Sequence, residues 1–247
     1  MSRTDVSIET RDGSARAFTF TPSSGEGPWP AVIFYMDAPA IRPALFEMSQ
    51  RLADAGYFVL LPDMFWRAGP YEPIDIKSIK SDEERRAIFG KFFATTSPEK
   101  GMSDTAAFLE FLSAQPQVMG SKVGATGYCM GGSAVIRAAG NFPDRIAAVG
   151  AFHGGGLATD AEDSPHLLAP KIKAKVLVAG ADFDKGFDDA QCDRLDAAFK
   201  EAGVVAEVTI YRGAKHGYAP PDMPVYDKDA SERHWRELLA LFSETLH

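Results

Sequence analysis

Cysteine is scarce in this chain. The two that occur, Cys129 and Cys192, match neither a zinc-ligand spacing nor a disulfide framework. No H-x-x-x-H, C-x-x-C or H-E-x-x-H segment is present, and no G-x-x-x-x-G-K-[ST] loop, so the sequence contains neither a metal-site signature nor a phosphate-cradling one. Long hydrophobic runs are missing too: none approaches the roughly 18 apolar residues of a membrane span. The opening MSRTDVSIETRDG has no apolar stretch of the secretory kind. Positive charge is in deficit, with 26 Lys plus Arg against 34 Asp plus Glu for a net charge of −8. An acidic chain without a basic run is a poor binder of phosphate backbones or anionic bilayers. These absences predict a reduced, soluble, cytoplasmic enzyme or binding domain, with neither nucleic acid nor membrane as partner.

What is present suits a large core. Hydrophobic residues are 45% and charged residues 24% of 247, ordinary for a globular protein and far from disordered or collagen-like composition. A chain of this length buries about three quarters of its unfolded surface without disulfide or metal staples. Short β-type runs alternate with longer helical ones, which predicts an α/β fold with a mostly parallel sheet of about eight strands and helices on both faces. Segments 6–10 and 15–21 flank Arg11-Asp12-Gly13-Ser14 as a hairpin. Strands follow at 30–35, 57–61, 121–126, 146–152, 174–179 and 207–211. Helices are expected at 43–56, 98–114, 129–141, 188–202 and 227–245, with Gly203 as a helix stop. The stretch 62–96 departs from this alternation. It carries Pro62, Pro70 and Pro73, an aromatic group of Phe65, Trp66 and Tyr71, and a charged helix near 82–94. On a single domain spanning 1–247, such an excursion is either a lid or substrate wall or a plain structural insertion.

The segment Gly127-Tyr128-Cys129-Met130-Gly131-Gly132 stands between a predicted strand and a predicted helix. It is the G-x-S-x-G elbow with Cys for Ser. The turn forces its central residue out above the sheet, and a Cβ two positions to either side would strike the neighbouring strand or helix. The helix N-terminus behind Cys129 favours a thiolate and a developing oxyanion. Cys192 lies mid-helix and reads as packing. A nucleophile needs a base and an orienting acid, supplied on this scaffold in the order nucleophile, acid, His. Of His153, His166, His216, His234 and His247, only His216 falls between the last strand and the last helix. The HGGG at His153 comes after the nucleophile, too late in the chain for an oxyanion loop, though His153 itself is a candidate for lining the site. For the acid, Asp182 follows a strand directly and is preferred, with Asp184 the competitor.

With these residues in place the chain resembles the dienelactone hydrolase (carboxymethylenebutenolidase) family of α/β-hydrolases, from the strand at Pro30 to the closing helix. The resemblance implies a Cys129–His216–Asp182 triad. It also implies an activating carboxylate at Asp37, where related sequences carry Glu. In the family's mechanism substrate binding moves that carboxylate onto the thiol proton, and the thiolate attacks the carbonyl. The backbone N–H groups of Met130 and Ala38 hold the oxyanion, His216 protonates the leaving group, and water hydrolyses the thioester. No cofactor is needed. One departure stands out: family members that cleave dienelactone carry an Arg four residues after the catalytic His, and here that residue is Pro220. Arg85 and Arg86 are the candidates for a second anion-binding Arg. Trp66, Phe65, Tyr128, His153 and Tyr218 are candidate contacts for an apolar or aromatic ester or lactone. The expected function is a thiol-dependent ester or lactone hydrolase. The alternatives are an acyltransferase or another hydrolase on the same scaffold, or a non-catalytic ligand-binding protein.

Overall fold

The computed structural model describes residues 2–247. Ser2–Thr10 (β1) and Gly13–Thr21 (β2) form the expected antiparallel hairpin. Six further strands follow: Trp29–Tyr35 (β3), Phe58–Pro62 (β4), Val118–Tyr128 (β5), Ile146–Phe152 (β6), Lys175–Phe183 (β7) and Ala206–Lys215 (β8). They join one sheet in the order β1-β2-β4-β3-β5-β6-β7-β8, parallel from β4 through β8.

The helices are Pro43–Asp54 (α1), Asp82–Phe93 (α2), Pro98–Ser113 (α3), Met130–Asn141 (α4), Asp189–Glu201 (α5) and Lys228–Leu246 (α6). The sheet separates two apolar layers, and the two-residue period of a strand divides its side chains between them. Along β3, Ala31, Ile33 and Tyr35 face the layer that holds Leu109 and Leu112 of α3, Val135 of α4 and Phe199 of α5. Val32 and Phe34 face the other way, into the layer that holds Leu45 and Met48 of α1 and Leu238 and Phe242 of α6. Covered on both faces, β3 and β4 need apolar residues at every position, which is why PAVIFY and YFVLL are unbroken runs.

Six strands are longer than the sequence predicts: β1, β2 and β3 begin at Ser2, Gly13 and Trp29 rather than 6, 15 and 30. β5 starts at Val118 rather than 121, β7 continues to Phe183 and β8 to Lys215. A 3₁₀ helix, Pro165–Lys171, lies between β6 and β7, where the sequence predicts no element. The chain reverses its direction of travel across the sheet between β3 and β5, and the carboxyl ends of strands beside such a switch are where ligands collect in open α/β sheets. No helix among the described residues is long and apolar enough to cross a membrane.

Candidate active site

Cys129 is the one residue between β5 and α4, with φ 55° and ψ −117°. Such a conformation costs a non-glycine residue about 1–3 kcal/mol and persists only where surroundings over-determine it. Here they do. A Cβ on Gly127 would lie 2.1 Å from the Gly131 carbonyl oxygen, and one on Gly131 would lie 2.4 Å from that of Tyr35. The elbow is therefore wedged between α4 and β3, and its thiol remains half-buried at the carboxyl edge of the sheet.

His216 follows β8 directly, and its Nε2 lies 3.1 Å from Cys129 Sγ. On the other side of the ring, Nδ1 is 2.6 Å from Asp184 Oδ2. Asp184 is almost fully buried, and its other oxygen accepts the Gly186 N–H at 2.8 Å. Burial alone would pull His216 down, but the hydrogen bonds to Asp184 and Cys129, and their charges, push it up to about 10.

The carboxylate on His216 is thus Asp184, and the expectation for Asp182 is corrected. The cause is strand length. β7 runs on past Ala179, so Asp182 still lies within the ladder and Asp184 is the first residue beyond it. Opposite Asp182 the register slips: Ala181 pairs with Tyr211, but Phe183 pairs with Lys215. The surplus residues of β8 bulge at Gly213, whose φ is +84°. Asp182 fills that bulge, accepting the Gly213 N–H at 3.0 Å and Arg212 Nη1 at 2.8 Å. Those two donors, the amide first, hold its carboxyl below the usual range.

Asp37 is nearly inaccessible, as the expected activating carboxylate should be, but its partner differs. Arg42 grips both its oxygens, with Nη2 to Oδ2 at 2.9 Å, and reaches the Ala40 carbonyl at 3.2 Å. The same guanidinium extends to Asp222, with Nε to Oδ2 at 2.6 Å and Nη2 to Oδ1 at 3.1 Å. Burial opposes the Arg42 charge, yet the two carboxylates outweigh it and hold the guanidinium above its ordinary value. Asp37 therefore serves to lock the segment from Met36 to Arg42, which includes Ala38. Met130 opens α4, so its N–H has no acceptor within the helix. Outside the Arg42–Asp222 pair lies a hollow of about 230 Å³, walled by Pro73, Ile74 and Lys77 of the 62–96 excursion.

Most of the candidate substrate contacts are used otherwise. Phe65 is fully buried against Phe92 and Phe93 of α2. Trp66 donates its indole N–H to Asp104 at 3.0 Å and lies under the Arg67 guanidinium. Tyr128 is fully buried, stacked on Phe34 and Phe152, with its hydroxyl 3.1 Å from His234 Nε2. Tyr218 is equally buried and donates to the Ala179 carbonyl at 3.1 Å. Phe65, Tyr128 and Tyr218 are placed by core packing, which outweighs exposure for side chains of that area, and Trp66 is half-buried at the edge of the core. His153 is also fully buried, beside the elbow rather than open to it. Arg85 and Arg86 are exposed on α2. Arg42 and Asp222 carry no joint signal in the sequence, because 180 residues separate them. Among the described residues no group of three or more His, Cys, Asp or Glu is arranged to hold a metal.

The family model of the dienelactone hydrolases matches residues 15–246. A carboxymethylenebutenolidase of Pseudomonas putida is 29% identical over 168 residues, covering 68% of this chain and 67% of that protein. Among solved structures, the dienelactone hydrolase-like promiscuous phosphotriesterase P91, from metagenomic libraries, superposes with a TM-score of 0.79. It is 26% identical, with 100% of each chain covered. A dienelactone hydrolase of Anabaena variabilis shares the fold with a TM-score of 0.69 at 18% identity, over 100% of this chain and 99% of that one.

Proposed function

Since the chain belongs to the dienelactone hydrolase family, we propose that it hydrolyses carboxylic esters or lactones through a Cys129 thioester, with His216 as base and Asp184 as the acid that orients it. The observation that carries this reading is the continuous relay from Asp184 Oδ2 through His216 to Cys129 Sγ, at 2.6 and 3.1 Å. These distances are within reach for a nucleophile and its base. His216 takes the thiol proton, and the thiolate attacks the carbonyl carbon. The tetrahedral oxyanion accepts hydrogen bonds from the Met130 and Ala38 N–H groups, and loss of one such donor commonly costs about 2.7–4 kcal/mol. The imidazolium protonates the departing alkoxide or enolate. His216 then deprotonates a water that attacks the thioester and frees the acid.

Asp37 has a supporting part in this scheme. Through Arg42 it fixes the segment carrying the Ala38 amide, and the thiol proton passes to His216. With Phe65, Tyr128 and Tyr218 buried and half-buried Trp66 tied to Asp104, the acyl group is left to be recognised by other walls of the cleft, the 62–96 excursion among them.

Wild type and Cys129→Ala, each checked by circular dichroism, are to be assayed on p-nitrophenyl acetate, a dienelactone and a phosphotriester. The last is included because of the similarity to P91. Turnover of the carboxylic esters is expected from the wild type and at least 10³-fold less from the folded variant, in line with loss of a nucleophile that acts as one unit with its base, on the order of 10⁴–10⁶. Unchanged turnover in Cys129→Ala would sink the proposal. Preferential transfer to an added alcohol would favour an acyltransferase. A folded wild type with no turnover, and no alkylation of Cys129 by iodoacetamide, would favour a ligand-binding protein.

A further inference from the structure

His153 is the first residue after β6, and the last pair of the β5–β6 ladder is Tyr128 with Phe152. Cys129 and His153 therefore leave the sheet side by side, and both do so with positive φ, 55° and 39°. Two adjacent strands that each end on a non-glycine residue with positive φ point to mutual support, because neither conformation is favourable alone. The contacts agree. The Cys129 N–H donates to the Phe152 carbonyl at 3.1 Å and to His153 Nδ1 at 3.2 Å. The His153 N–H is tied to the Ala179 carbonyl of β7 at 2.9 Å. Behind this turn, Gly154 abuts the start of α4, where a Cβ on Gly132 would come within 2.8 Å of its Cα.

An imidazole that accepts at Nδ1 must carry its proton on Nε2. That Nε2 is buried and has no hydrogen-bond partner among the described residues. An orphaned buried donor is destabilising, so a ring placed for packing alone would be better replaced by an apolar one. The ring stands nearly perpendicular to Tyr218, with centroids 5.0 Å apart, and lies 5.3 Å from His216.

We propose that His153 is a positioning residue of the site: as an acceptor at Nδ1 it holds the strained Cys129 turn and so keeps the thiol on His216 Nε2. This rests on the reading of Cys129 and His216 as nucleophile and base. The ring is suited to the part because it remains neutral. Burial, then His216, His234 of α6 and Arg42 before α1, hold its pKa well below the ordinary value. The other groups facing it, Cys129, Tyr128 and Tyr218, come from the elbow, β5 and the His216 loop. Protonation would place an N–H on Nδ1 against the Cys129 amide and set a second cation beside the His216 imidazolium.

Three variants test the assignment. His153→Asn keeps a short acceptor and tolerates positive φ. His153→Gly frees the backbone and removes the acceptor, and His153→Phe keeps ring volume without an acceptor. In His153→Gly and His153→Phe, kcat for a neutral ester is expected to fall about 10–100-fold, the scale of a misplaced reacting group, with KM changed less than about threefold. The pH profile of iodoacetamide alkylation, followed on the Cys129 peptide by mass spectrometry, is expected to move to higher pH in both. His153→Asn should keep the wild-type profile and stay within about threefold in kcat. Equal losses in all three variants, or an unshifted profile in whichever of Gly and Phe folds, would overturn the assignment. Alkylation needs no substrate, so a wild type inert toward esters sinks the hydrolase reading while the profiles still decide His153.

Discussion

At the scale of single residues, Asp184 and Asp182 stand two positions apart with opposite surroundings. The first is buried with one oxygen on His216; the second is bound by Arg212 and a backbone amide at the surface. Asp184→Asn would leave the ring without its acceptor and allow the wrong tautomer, a change that can cost about 10⁴ in kcat. A loss of about 10²–10⁴ is expected for Asp184→Asn and less than about fivefold for Asp182→Asn, measured on the same ester. The contact also makes stability depend on pH. His216 is raised above its unfolded value near 6.5, to about 10, so folding favours the protonated form. That contribution is complete below about pH 6.5 and is lost as pH rises through about 10. Thermal melts should therefore show wild type furthest above Asp184→Asn near pH 6 and the gap closing toward pH 10.

The element that decides between those two aspartates is the β8 bulge. Gly213 sits at φ +84° within a strand, and an isolated Gly in a strand is the usual mark of a bulge. A Cβ there meets nothing within 4 Å, so Gly213→Ala tests backbone strain alone. It should cost about 1–2 kcal/mol, read as a Tm lower by roughly 2–8 °C, and it should reduce kcat through the displaced His216. How far this element could be read in advance shows where sequence is informative. The Cys129 elbow is legible because sterics confine its glycines to fixed offsets, and the alternation of strand and helix follows from burial on both sheet faces. The exact end of β7 depends on hydrogen bonds to a strand about 30 residues later, which no local pattern encodes. The aromatics of 65–71 are legible as a cluster but not as core or cleft, since an apolar side chain satisfies both. Arg42 gave no signal at all: a charged residue before a helix normally faces water, and only the fold brings Asp37 and Asp222 to it.

For the whole molecule the governing quantity is a net charge of −8. A field of that sign repels anionic ligands over about 10 Å at 0.1 M salt. The kcat/KM for an anionic ester should accordingly rise as ionic strength increases from about 10 to 300 mM, while that for a neutral ester stays level. Stopped-flow or steady-state rates on a matched ester pair would show this, and a falling value for the anion would reveal a local cationic entrance. The Arg42 bridge bears on the molecule at this scale too, since it joins a loop after β3 to one after β8. Removing Arg42 strands the buried Asp37 carboxylate, typically a loss of about 3–5 kcal/mol. Removing Asp222, itself 42% exposed, leaves the Asp37–Arg42 pair intact, and replacing a buried pair together by apolar residues can be neutral. Positions 37 and 42 are thus best changed together. A descendant of this chain reaches a different pair only by passing through a weakened intermediate, and a mutant library that varies one of the two at a time will sample the losses without ever sampling the alternatives.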